Sequence, residues 1–196
     1  MKKIFILLGN PDADTLSGQF ASVYESAATA AGHEVKRLNI GDLAFDPILH
    51  KGYKVIQELE PDLKTAQEYM KWCDTFVLVY PLWWSSMPAL LKGFFDRMWL
   101  PAFAFRFHKN PKTGKAGMFW DRLMRGKRAR VIMLSKANPF LIWFMFGDFT
   151  NEITRAILAF AGFVPRVTEI GNAEILSDAQ KRTWEKRLSA LAKKGV

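Results

Sequence analysis

The chain has 196 residues, 49% of them apolar and 24% charged, with a formal net charge of +9. That is one domain's worth of chain with enough apolar side chain for a full core, which excludes global disorder and any need for disulfide or metal staples. A single cysteine, Cys73, excludes an internal disulfide and points to a reducing compartment.

Lys3 to Leu8 is a continuous apolar run closed by Gly9-Asn10-Pro11, the pattern of a strand buried on both faces. Asp14 to Ser17 offers helix-capping side chains, and the helical period of Phe20, Val23, Tyr24, Ala27 and Ala31 predicts a helix over 17–31, with Gly32 as its C-cap. Glu34 to Ile40 reads as an amphipathic strand, completing a βαβ unit, and 41–60 as irregular. A helix is expected from Pro61 to Cys73, a buried strand from Thr75 to Tyr80, a loop over 81–87, and a helix opened by Pro88 and running to about Trp99. Residues 100–126 form a long insertion with few regular signals. Then come a strand at Ala129–Leu134, a helix at Asp148–Phe160 closed by Gly162, a strand at Phe163–Ile170 and a helix at Ser177–Lys193, capped by Ser177 with Gln180. Five strands alternating with helices predict one α/β domain, residues 1–196, with a doubly wound parallel sheet.

The amino-terminal apolar run is too short for a leader and lacks a small-residue cleavage site. The longest apolar run, Pro139–Phe146, is far below the roughly 20 residues that span a bilayer. A cytoplasmic protein is expected. The positive charge is concentrated: Arg106, Lys109, Lys112, Lys115, Arg122, Arg125, Lys127, Arg128 and Arg130 stand against Asp121 alone. Such a segment could meet a phosphorylated cofactor or an anionic membrane surface. No nucleic-acid-binding signature accompanies it, so nucleic acid is not an expected partner.

Ligands of open α/β sheets bind beyond the carboxyl ends of the strands. The first such loop, Gly9 to Ser17, has neither G-x-G-x-x-G nor G-x-x-x-x-G-K-[ST], which excludes a standard dinucleotide fingerprint and a P-loop. It does run into a helix N-terminus bearing the hydroxyls of Thr15 and Ser17, which can serve a phosphate or simply cap the helix. After the third strand, Pro81-Leu82-Trp83-Trp84 places two adjacent indoles in a loop, suited to a flat conjugated ligand or to an apolar interface. A flat ring beside a phosphate describes a flavin nucleotide. His33, His50 and His108 are dispersed, so no metal site is expected. A G-x-S-x-G elbow is missing, and Cys73 reads as core.

Residues 80–99, YPLWWSSMPALLKGFFDRMW, closely resemble a characteristic segment of the NAD(P)H:quinone reductases of the DT-diaphorase-like, flavodoxin-fold family. The loop Gly9–Phe20 resembles that family's phosphate loop. Phe103-Ala104-Phe105 with the basic stretch after it, about 100–127, resembles its crossover arm, and Ala161-Gly162-Phe163 its last helix-to-strand turn.

The resemblance implies a flavodoxin-like five-stranded parallel sheet in the order 2-1-3-4-5, helices on both faces, and a homodimer. It also implies a bound flavin, FAD or FMN, that takes hydride from NADH or NADPH and passes it to a quinone or similar acceptor in a ping-pong cycle. By position, Thr15, Leu16 and Ser17 would hold the phosphates, with Asn10 where many members have His. Pro81, Leu82, Trp83 and Trp84 would line the isoalloxazine, with backbone N–H groups toward its polar edge. Where the family commonly has T-T-G-G after its fourth strand, this chain has Ser135-Lys136-Ala137-Asn138, and 139–150 lacks the Tyr and His that serve well-studied members. Ser135 and Lys136 are therefore the candidate catalytic groups, Lys136 as a cation near the reduced ring. An alternative reading is a flavin-binding regulatory subunit docked on a membrane transporter through the basic arm and the aromatic 139–146 run.

Overall fold

A computed structural model of the chain describes residues 1–109 and 113–196. Lys112, one of the nine basic residues of the charged stretch, lies outside the described residues.

The apolar runs become the sheet. β1 (Lys3–Leu8), β2 (Glu34–Asn39), β3 (Thr75–Pro81), β6 (Arg128–Leu134) and β7 (Val164–Ile170) pair in parallel in the order β2-β1-β3-β6-β7. The expected order 2-1-3-4-5 does not hold in chain numbering. The fourth and fifth strands, β4 (Phe105–Lys109) and β5 (Ala116–Arg122), stand outside the sheet as an antiparallel hairpin. The insertion thus has regular structure where none was expected. β4 interleaves Phe105 and Phe107 with Arg106 and His108, β5 sets Phe119 and Trp120 side by side, and Phe105, Phe107 and Trp120 pack on Phe160.

Side chains alternate across each strand, so the sheet has two apolar faces. Ile4, Ile6, Leu8, Val77, Val79 and Ile132 meet α1 (Leu16–Ala30) and α5 (Asp178–Lys193). Phe5, Leu7, Phe76, Leu78, Val131 and Met133 meet α2 (Pro61–Trp72), α3 (Ala89–Met98) and a π-helical segment, Glu152–Ala159. The helix expected over 148–160 is helical over 151–161, with π-helical turns through its middle. Ser177 and Gln180 form the expected reciprocal cap. Ala31 is the C-cap of α1, and Gly32 follows it at φ +80°, a left-handed position that glycine takes without strain.

Residues 139–146, given no element by periodicity, form helix α4, Pro139–Phe146, capped by Asn138. Apolar residues all round it hide any helical period. Phe140, Leu141, Trp143, Phe144, Met145 and Phe146 are exposed. Trp99 and Phe103 by contrast are core, and Phe105 packs against it, so these three do not add to an exposed aromatic surface. Among the described residues, no helix is long and apolar enough to cross a membrane.

Buried Arg97 on α3 ties the loop before α2 to the core. Its guanidinium donates to Glu60 Oε2 at 2.9 Å and Oε1 at 3.1 Å, to the Glu58 carbonyl at 2.8 Å, and to the Asp46 carbonyl. Cys73 is core, and burial pushes its thiol up to about 12.

Candidate functional site

Three loops leave the carboxyl ends of β1, β3 and β6 side by side and enclose a cleft of about 650 Å³. Asn10, Thr15, Leu16, Ser17, Pro81, Leu82, Trp83, Trp84, Ser135 and Lys136 all line it. The structure thus brings together residues up to 126 positions apart that sequence reading had assigned to one site. It adds Asp12, Ala173 and Glu174, which sequence reading missed. Glu174 sits in a polar turn after the last strand, where only the fold shows its proximity.

The β1 loop is self-organised. Thr15 is the N-cap of α1: its Oγ1 accepts from Gly18 N at 3.4 Å and from Asn10 Nδ2 at 3.1 Å, and donates to the Asp12 carbonyl at 3.1 Å. Asn10 Oδ1 in turn accepts from Asp12 N at 3.2 Å. The Thr15 hydroxyl therefore shapes the loop, and the Asn10 amide spends one of its two N–H donors doing the same. Left for a ligand are the second Asn10 N–H, the pair of amides at Leu16 and Ser17, which have no partner inside a helix, and Ser17 itself, buried at the cleft wall. Two glycines hold this conformation. A Cβ on Gly18 would lie 1.9 Å from the Ala13 carbonyl oxygen, and one on Gly41 1.9 Å from that of Pro11. The reason for glycine at these positions is spatial and not visible in the local sequence.

The β3 loop is a tight turn. Trp83 N donates to the Ser86 carbonyl at 2.9 Å and Ser86 N to that of Trp83 at 3.0 Å. The two central residues, Trp84 at φ 52° and Ser85 at φ 60°, take left-handed conformations that glycine and asparagine favour. Trp84 is fully exposed and Trp83 half exposed. The expectation of several loop amides facing a ring is corrected here. Leu82 N donates to the Leu134 carbonyl at 2.7 Å, Trp83 N is engaged in the turn, and Pro81 has no N–H, so within 81–84 the Trp84 amide alone has no partner among the described residues.

On the β6 loop, Ser135 is buried, and its hydroxyl donates to the Ala137 carbonyl at 2.8 Å. Lys136 reaches the cleft but pairs with Glu174 at 2.9 Å, both side chains well exposed. Its charge thus has a carboxylate partner and is screened by water. Among the described residues, no cluster of His, Cys, Asp or Glu could hold a metal.

The donor set fits a flavin nucleotide: two free helix amides and a buried hydroxyl at one end, an indole wall and one backbone amide at the other. A model of proteins with a flavodoxin-like fold matches residues 2–193. The chain belongs to this family of flavodoxin-like folds. The uncharacterized NAD(P)H oxidoreductase YcaK of Escherichia coli is 30% identical over 115 residues, 53% of this chain and 56% of that protein. The chain thus matches little more than half the length of that relative. The ribosyldihydronicotinamide dehydrogenase (quinone) of Pongo abelii is 27% identical over 95% of this chain and 85% of its own. Among solved flavodoxin-like structures, the NAD(P)H:quinone oxidoreductase of Methanothermobacter marburgensis superposes with a TM-score of 0.79 at 17% identity, over 100% of this chain and 99% of that one. An FMN-dependent NADH-azoreductase of Bacillus anthracis, in complex with FMN, gives 0.72 at 19%, over 99% of both. At these identities the structural likeness speaks for the fold.

Proposed function

We propose that the chain is a flavin-dependent NAD(P)H oxidoreductase that reduces a quinone or similar acceptor by two electrons in a ping-pong cycle. The observation that carries this reading is the single cleft in which the open amino end of α1 and the indole-bearing turn face one another. The names of the relatives support the same chemistry. A bound flavin, FMN or FAD, would supply the hydride acceptance from NADH or NADPH and its onward delivery. The chain supplies binding and orientation. Leu16 and Ser17 offer amides to the phosphate, with Thr15 and Asn10 holding the loop that aims them. Pro81, Leu82 and Trp83 form the wall for the ring, and the Trp84 amide is placed for its polar edge. Ser135 shapes the third loop through its bond to Ala137. Lys136 offers a screened positive charge at the mouth.

A homodimer in the cytoplasm is part of the same proposal. The exposed apolar surface of α4, the helix that follows the β6 loop, and the bare Trp84 indole on the β3 loop support a covering second copy. The alternative of a transporter-docked regulatory subunit gains no support from the site or from the relatives named above. The test is anaerobic: purified yellow protein should bleach on addition of NADH or NADPH and recover colour on addition of a quinone. Protein that binds flavin but is not bleached by either nucleotide would contradict the enzymatic reading.

A further inference from the structure

At the opposite end of the sheet from the cleft, the amino ends of β6 and β7 carry three arginines. The parallel register sets Arg130 directly against Arg166, and Arg128 against Val164. Alternation puts Arg128 and Arg130 on one face of β6, the face whose Ile132 and Leu134 pack beneath α1 and α5. All three arginines line a separate cavity of about 310 Å³, closed on one side by Val196. The Val196 carbonyl oxygen is fixed by the Tyr24 hydroxyl at 2.6 Å.

The charge in this cavity is not matched. Arg130 is only 7% exposed, and its Nε is buried without a partner among the described residues. Its one hydrogen bond among the described residues is long, Nη1 to Thr168 Oγ1 at 3.4 Å. No ion pair joins Arg128, Arg130 or Arg166 to a carboxylate among the described residues. A carboxylate on Val196 would offset one of the three charges. Like charges directly opposite one another on neighbouring strands destabilise a sheet, and a buried charge without a counter-charge does so more strongly. Burial pushes the Arg130 guanidinium below its ordinary value; the Tyr24 phenol opposes that, and Arg166 adds to it.

We propose that this cavity binds a small free oxyanion carrying two or more negative charges, of the phosphate or pyrophosphate class. Guanidinium groups recognise such oxyanions through paired, charge-assisted hydrogen bonds, and Arg130, which lines the space with Arg128 and Arg166, is already largely desolvated. From Arg130 to Leu134, where the cleft begins, β6 runs roughly 13 Å at its usual rise, so the site is independent of the flavin reading.

The test is a calorimetric titration of pyrophosphate into the protein with excess FMN present, so that an ion in the cleft is competed away, and with ionic strength held constant by chloride. One-to-one binding is expected, weakened at least about tenfold by Arg166→Gln, the equivalent of one lost charge-assisted hydrogen bond. Arg166 is exposed, so this variant spares the core. Arg130→Met should abolish binding and, in anion-free buffer, raise the thermal midpoint, because it removes a buried unpaired charge. No binding with FMN present, binding unchanged in Arg166→Gln, or a response that chloride reproduces would each overturn the assignment.

Discussion

The Ser86 hydroxyl donates to Glu152 Oε2 at 2.8 Å, joining the tryptophan turn to the first residue of the π-helical segment. The turn that presents Trp83 and Trp84 is thereby braced from outside its own loop. Ser86→Ala should leave the fold intact and weaken flavin binding about three- to tenfold, the worth of one partly buried hydrogen bond to a charged group. Quenching of flavin fluorescence on titration measures it; unchanged affinity would mean the turn holds its shape without the brace.

Trp84 and Ser85 both hold left-handed backbone without being glycine or asparagine. Such residues cost about 1 kcal/mol or more each and persist where the surroundings impose them. Ser85→Gly should therefore raise the thermal midpoint by about 2–4 °C, the shift that 1 kcal/mol gives a chain of this size. A lower midpoint would show that the turn is not strained at that residue.

Lys136 and Glu174 meet at the mouth of the cleft as an exposed pair. If their charges act on a reduced ring, the two variants should move its two-electron potential in opposite senses. Glu174→Gln leaves the cation bare and should raise the potential, and Lys136→Met leaves the anion and should lower it. Solvent screening keeps each shift to about 10–20 mV. Equal potentials in both variants would leave charge stabilisation to the Trp84 amide.

Glu60 contributes a pH-dependent share of stability. Burial raises its pKa, but backbone hydrogen bonds and the buried Arg97 outweigh that and hold the carboxyl below its ordinary value of 4.5. A carboxylate lowered in the folded state stabilises above the unfolded pKa, and that contribution is lost as pH falls through the folded one. Glu60→Gln should cost about 2–3 kcal/mol at pH 7, since it strands the Arg97 charge. Urea unfolding at pH 7 and again below pH 4.5 should show the gap between variant and wild type closing on the acid side.

The sheet and the site were legible in the sequence for one shared reason. Strands buried on both faces appear as unbroken apolar runs, and in a parallel sheet the residues just after them converge at one edge. Asn10, Ser17, Leu82, Trp83 and Ser135 could be assigned from that rule and the family resemblance. What stayed hidden depended on partners distant in sequence or on the absence of a period. Helix α4 is apolar on every side, so no stripe marks it. The hairpin of β4 and β5 carries its aromatics among charges and packs them on Phe160, far away in sequence. Gly41 is fixed by the Pro11 carbonyl of another loop, and Gly18 by the Ala13 carbonyl that the β1 loop folds back onto it. The amides of Leu82 and Trp83 looked free until Leu134 and Ser86 were seen to take them.

The central claim is that the open amino end of α1 and the tryptophan turn bind one flavin. Its most direct test is the flavin stoichiometry of the wild type against a Leu16→Pro, Ser17→Pro double variant, which deletes the two free amides at positions where a helix tolerates proline or nearly so. The account predicts one flavin per chain in the wild type and a large loss of affinity in a variant whose circular dichroism is unchanged. Retention of stoichiometric flavin by that folded variant would contradict it.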